Sequence, residues 1–296
     1  MLFELNWKSW KLNHKSQIKE FLFIINLLRK NPLAIFGIII IVILIVISIF
    51  APLISPYDPV KINLPQRLQA PSWQHLMGTD ELGRDILSRV IYGSRVSLKI
   101  GIIVIGIAVF IGTFFGLISG YFGGTTDNLI MRLMDIILAF PPFVLAVAIA
   151  AAMGPSLSNA MLAVAFVQIP KFARLVRGEA LSLKEKEFIT AARLSGSGSF
   201  QIMFCHILPN CLHSIVVLTT LSIGESIIYT ASLSFIGLGA QPPIPEWGAI
   251  VSVGRKYLMD QWWYSTFPGL VILVTVMGFN FLGDALRDIL DPKIRH

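Results

Sequence analysis

From Leu33 to Ile54 the chain runs without one charged residue, and this feature narrows the folds open to it more than any other. At about 1.5 Å per helical residue, such a run exceeds the ~30 Å hydrocarbon core of a bilayer. Asn31-Pro32 ahead of it reads as N-cap and first helical residue. A cleaved signal peptide has an apolar core of about 7–15 residues closed by a small-residue site. This run is longer and has no such site, so a retained transmembrane helix is expected. The whole chain agrees: 55% of its 296 residues are hydrophobic and 14% charged, against about 25% charged in soluble domains. Lipid must cover much of the surface.

Further apolar runs give about six spans. Val96–Tyr121 carries Gly101, Gly106, Gly112, Gly116 and Gly120, which allow close helix approach. A third run, Ile130–Met153, is interrupted by Pro141-Pro142, and a fourth covers Leu157–Phe172. A fifth lies near Ser214–Leu238 and a sixth near Phe267–Leu282. Residues 55–95 are polar and proline-rich and read as a loop. Ahead of the first span, Ile18, Phe21, Leu22 and Ile25 recur with helical spacing among lysines, as in a surface amphipathic helix. The expected division is 1–31 amphipathic segment, 32–95 first span and loop, 96–286 main transmembrane domain and 287–296 tail.

The net charge of +7 suggests nucleic acid, but the basic residues lie in loops between apolar runs, so none is expected as a partner. With the N-terminus inside, inner segments hold 16 Lys and Arg and outer loops 7. The positive-inside bias therefore puts both termini in the cytoplasm. The two cysteines make no disulfide framework.

The stretch from Lys171 to Asn210 is too long and too patterned for an idle connection. One amphipathic helix is expected over Leu183–Ser195, containing Phe188, Ala191, Ala192 and Leu194 and stopping at Gly196. A second is expected after Ser199 as N-cap, with Phe200, Met203, Phe204, Ile207 and Leu208 on one face, ending at Pro209. On physical grounds this pair is either a docking element for a soluble partner or a hairpin on lipid headgroups.

The run Phe188-Ile189-Thr190-Ala191-Ala192-Arg193-Leu194-Ser195-Gly196, with Ile207-Leu208-Pro209-Asn210 downstream, resembles the E-A-A-x-x-x-G…I-x-L-P signature of ABC importer permeases. Thr190 stands where that signature has Glu. Four further stretches are similar to the C-subunit type of the dipeptide, oligopeptide and nickel permeases. They are His75–Asp85 with Ser88-Arg89, Asp127–Arg132 leading to Asp135, Leu233–Gly239 followed by Pro242–Gly248, and Gly283–Asp288 with Leu290–Lys293. The resemblance, closest to dipeptide permeases, covers the chain from about residue 30 onward. It implies an all-α integral membrane fold with six transmembrane helices and a type I importer (MetI-like) core. It makes 183–209 the coupling element, with Glu187, Phe188, Thr190, Ala191, Ala192 and Gly196 docking an ATPase. It also implies a homologous second permease subunit, two cytoplasmic ABC ATPases that carry ATP and Mg²⁺, and an external solute-binding protein. No cofactor would be bound by this chain. The setting would be the bacterial cytoplasmic (inner) membrane, and the activity import of dipeptides or short oligopeptides by alternating access. Nickel complexes or another small solute are alternative cargoes, and an ion-coupled secondary carrier is the rival from another class.

Leu194-Ser195-Gly196-Ser197-Gly198 looks superficially like an ATPase signature loop, but no Gly-Lys pair of a phosphate-binding loop occurs in the chain. Cys205, His206, Cys211 and His213 cluster in sequence, yet adjacent helical residues point about 100° apart, so no metal site is expected. No residue is assigned covalent chemistry. Lys99, Asp135 and Asp284 lie near span ends, where they reach the interface. Glu225 sits midway through the fifth span and faces either a translocation path or a partner subunit.

Overall fold

A computed structural model describes residues 27–29 and 31–290. The expected amphipathic helix near 18–25 and the last residues of the tail lie outside the described residues. The described chain is helical, with α1 Pro32–Ile54, α2 Ile86–Phe122, α3 Gly124–Leu138, α4 Pro142–Met153 and α5 Leu157–Lys184. Then follow α6 Glu187–Leu194, α7 Ser199–Phe235, α8 Trp247–Gly254 and α9 Trp263–Leu290. Five of these (α1, α2, α5, α7 and α9) are long and apolar enough to cross a membrane, and α3 with α4, a pair bent at a short break, is so when taken together.

The expected start of α1 holds: the Asn31 side chain accepts from the Leu33 and Ala34 backbone N–H groups, at 3.0 and 3.3 Å. Other boundaries differ from the sequence expectation. α2 begins at Ile86, not 96, capped by Asp85, which accepts from Ser88 N at 2.7 Å. The connection is therefore 55–85, and position 95 lies inside a helix. The third span is not one rod, because α3 and α4 meet at 87° across the Pro141-Pro142 break. α5 continues through Pro170 to Lys184, so Lys171 to Lys184 extends a span instead of opening a loop. The second amphipathic helix does not stop at Pro209. A π-helical turn, Ile202–Ile207, leads directly into Leu208–Phe235, with Pro209 in the first turn of that segment. Ser199 is not the N-cap either; Gly198 holds that position. The proline-rich loop after α7 contains the short helix α8, absent from the sequence expectation.

The connection 55–85 is a packed unit. Asp80 is fully covered and accepts from the backbone N–H groups of Leu82 and Arg84 and from Arg84 Nε at 2.6 Å. Arg89 lies 3.6 Å from the same carboxylate and donates to Pro59 O. His75 Nδ1 meets Asp85 Oδ1 at 2.9 Å. The buried Asp80 of this connection thus offsets the charge of its own Arg84 and of Arg89 in the first turn of α2.

The centre of the fold is the α2–α5 contact. A Cβ at Gly112, Gly116 or Gly120 would lie 2.6–2.7 Å from α5 atoms, at Phe172, Ala173 and Ala180 respectively. The four-residue spacing puts the three glycines on one face, and the missing side chains let the backbones touch. Gly101 instead packs on Ile223 and Ile227 of α7, and Gly106 meets nothing within 4 Å. α1 lies against α9, where Gly37 abuts Gly278 and Leu282. The apolar face of α1, with Phe36, Ile39, Val42 and Ile43, stays uncovered.

Candidate docking and translocation site

α5 overshoots the apolar part of the bundle, turns at Glu185-Lys186, and lays down α6 as a separate short helix. Glu187 in its first turn and Arg193 in its last suit the helix dipole. Gly196 is at φ +84°, Gly196 N donates to Arg193 O, and Ser197 N donates to Ala192 O at 3.1 Å. This is the left-handed close expected of a glycine just past a helix end.

Only Ile189 of α6 is fully buried. It enters an apolar floor of Leu117 from α2, Val176 and Ala180 from α5, and Ile202, Ile207, Cys211 and Ile215 from α7 and its π turn. Residues two apart on a helix point about 200° away from each other, so a peg at Ile189 turns Ala191 outward and leaves Ala192 half-buried beside it. Glu187, Phe188, Thr190 and Ala191 are exposed. Leu194 and Phe200 extend the outward apolar surface, at 85% and 71% exposed. Phe200 stacks on Phe204 with centroids 6.0 Å apart. Arg193 sits over Tyr121 at the end of α2, 5.7 Å from the ring centroid.

The structure therefore brings Glu187, Phe188, Thr190, Ala191, Ala192 and Gly196 together on one small element. Glu225 stands apart, on α7. Its Oε2 lies 2.5 Å from Lys171 Nζ and 3.2 Å from Gln168 Nε2, both on α5. One turn along α5, Arg174 pairs with Asp135 of α3 at 2.5 Å. A turn further, Arg177 holds Asp127 through two 2.6 Å contacts, and Ser119 donates to that carboxylate as well. Ser214 donates to Glu179 at 2.6 Å.

Sequence reading missed Ile189 as the residue that fixes α6, although it lies inside the motif. It also missed Gln168, Lys171, Arg174 and Arg177 as a set. Their three-residue spacing was visible, but Lys171 and beyond were read as interspan chain. Their partners lie 39 to 57 residues away.

Residues 112–296 match the family described as binding-protein-dependent transport system inner membrane component. Residues 24–71 match the N-terminal TM domain of oligopeptide transport permease C. The dipeptide transport system permease protein DppC of Alkalihalophilus pseudofirmus is 50% identical over 268 residues, covering 90% of this chain and 88% of that protein. The glutathione transport system permease protein GsiD of Pectobacterium atrosepticum is 47% identical over 256 residues, covering 86% and 85%. Among solved structures, an inward-facing form of the MetNI methionine ABC transporter aligns with a TM-score of 0.55 at 20% identity. It covers 69% of this chain and 97% of its own, a likeness of fold. With the short pegged helix α6 set outside a bundle of spans, these matches make the chain a member of the binding-protein-dependent transport system inner membrane component family, the permeases of ATP-binding-cassette importers.

Proposed function

We propose that this permease carries dipeptides and other short peptides inward across a bacterial cytoplasmic membrane, paired with a homologous second permease subunit. Permeases of this family work with ATPase and solute-binding protein partners. Here the ATPases would be two cytoplasmic subunits that hold the ATP and Mg²⁺, and the binding protein would deliver peptide from outside. The observation that carries the reading is α6: a helix whose one fully buried residue is Ile189, with Glu187, Phe188, Thr190, Ala191 and Leu194 exposed and Phe200 extending that outward patch beyond it. Such a lever transmits motion because its one buried contact lies on α2, α5 and α7 together. ATP-driven closure of the docked subunits would move α6, and the spans would reorient. The residues at 187–196 are assigned the docking role on this ground, with 183–209 as the coupling element and a main transmembrane domain that begins with α2 at Ile86 and runs to 286. Short peptides are the cargo class because relatives named for dipeptides and for glutathione match almost equally well.

The expected result in cells is that deletion of this gene abolishes uptake of radiolabelled alanyl-alanine, and that the plasmid-borne gene restores it. Unchanged uptake of di- and tripeptides in a strain with no other peptide importer would refute the cargo assignment. Both termini are assigned to the cytoplasm. Alkaline phosphatase fused near Pro65 is expected to be active and a fusion after His296 inactive, with fluorescent-protein fusions giving the reverse. An active phosphatase at the C-terminus would overturn the orientation.

A further inference from the structure

The three ion pairs of α5 are not equivalent. Arg177 and Asp127 form a clamp: the carboxylate is 12% exposed and held from two helices. The Lys171–Glu225 pair is open, with side chains 33% and 32% exposed, and Arg174–Asp135 more so, at 52% and 58%. Gln168 is itself 1% exposed and donates to the same Glu225 oxygen as Lys171. The carboxylate is thus oriented from the protein side and accessible on the other.

Depth gives this openness its meaning. Glu225 lies ten residues before the end of α7 at Phe235, about 15 Å at about 1.5 Å per residue. Lys171 lies 14 residues after the start of α5 at Leu157, about 21 Å along it. Counted from these ends, Glu225 falls near the middle of a ~30 Å hydrocarbon core and Lys171 about two-thirds of the way across it. Charged groups there are costly against lipid tails, so their open side faces a water-filled path or another protein. The uncovered face of α1, by contrast, is wholly aliphatic or aromatic.

We propose that Lys171–Glu225, with Arg174–Asp135 beside it, is a zwitterion-exchange site on the translocation path. The α-carboxylate of a passing short peptide takes up Lys171 or Arg174, and its α-ammonium takes up Glu225 or Asp135. The proposal rests on the peptide-permease reading and adds the recognition chemistry within the membrane. Paired with each other, the side chains leave the empty path without net charge. A zwitterion replaces both halves of a pair at once, whereas an ion of one sign frees one partner only. Exchange of equivalent contacts also keeps the site weak, so cargo can leave as readily as it enters.

The test uses the intact complex, isolated through an affinity tag on this chain, reconstituted in liposomes and supplied with its binding protein. The probe is radiolabelled alanyl-alanine, and the variant is the doubly neutral Lys171→Met/Glu225→Gln, which leaves no unpaired charge at that depth. It should co-purify with the second permease and the ATPases, keep binding-protein-stimulated ATP hydrolysis, and lose about tenfold in peptide uptake, the effect of a lost charge-assisted contact. The charge-reversed Lys171→Glu/Glu225→Lys still offers a zwitterion one cation and one anion and should keep most of the uptake, which separates loss of the exchange chemistry from a weakened fold. Wild-type uptake by the assembled neutral variant, or a tenfold loss in the assembled reversed one, overturns the proposal. Loss of the second permease from both variants also overturns it and assigns the pair to the subunit interface. A wild-type complex that imports no peptide refutes the cargo reading instead, so the two failures are distinguishable.

Discussion

Gly116→Leu is expected to prevent the bundle from assembling. A Cβ alone at this position would lie 2.6 Å from Ala173 O and 2.9 Å from Val176 Cβ, with Arg177 N at 3.1 Å. Two of these three atoms are backbone, so no rotamer change relieves the contact, and α5 as a whole must move away. Overpacking in a core typically costs about 1–3 kcal/mol. Here the remaining carbons of leucine would also enter the seam that Gly112 and Gly120 keep closed on either side. Separation of α2 from α5 would draw Ser119 away from the Arg177–Asp127 clamp and lift part of the floor under Ile189, so the damage reaches α6. Thermal unfolding of the detergent-purified complex, followed by size-exclusion, is the measurement. Gly116→Leu should give little monodisperse protein, whereas Gly106→Leu, where nothing lies within 4 Å, should melt close to wild type. Equal melting of the two variants would contradict the α2–α5 seam.

The glycine spacing that makes this seam was readable in the sequence, as were the cap at Asn31, the left-handed turn at Gly196 and the break at Pro141-Pro142. Each is a local signal. Boundaries set by polar chemistry were not readable from apolar runs. The first turns of α2 contain Ser88, Arg89, Ser94 and Arg95, so hydropathy hid a helix that Asp85 caps and Asp80 neutralises. Pro209 looked like a stop, but it does not end its helix. Near Pro209 a π turn is present, with Leu208 N donating to Met203 O, and it shifts the hydrogen-bond ladder beside a residue that has no N–H. The docking motif could be found by resemblance, but its orientation could not. Phe188, Ala191 and Leu194 belong to the expected amphipathic helix, but which side of it meets the bundle is set by Ile189, and the three are exposed. The pairs of Lys171, Arg174 and Arg177 depend on three helices meeting, which no local pattern records.

That outward face makes Ala191→Trp the sharpest probe of coupling, since the substitution should strip the ATPases from the complex while leaving the permease folded. Ala191 is exposed and points away from Ile189, so a large side chain there meets none of the floor that holds α6. Its carbonyl still accepts from Ser195 N and Oγ, so the close of the helix at Gly196 is undisturbed. If the alanine enters a cleft on an ATPase, the indole has no room, and an overpacking cost of about 1–3 kcal/mol lowers association by roughly 5- to 150-fold. If α6 rests on lipid headgroups instead, tryptophan is at home there and attachment is unchanged or strengthened. The two outcomes have opposite signs, which most substitutions in this segment do not offer. The measurement is recovery of ATPase subunits with the affinity-tagged permease pair, set against Lys256→Trp, an exposed site on the connection between α8 and α9. Loss of the ATPases at 191 with full recovery at 256, and unchanged membrane insertion of both, identifies α6 as the docking helix. Full recovery with both variants would remove α6 from the coupling path and return it to the membrane surface.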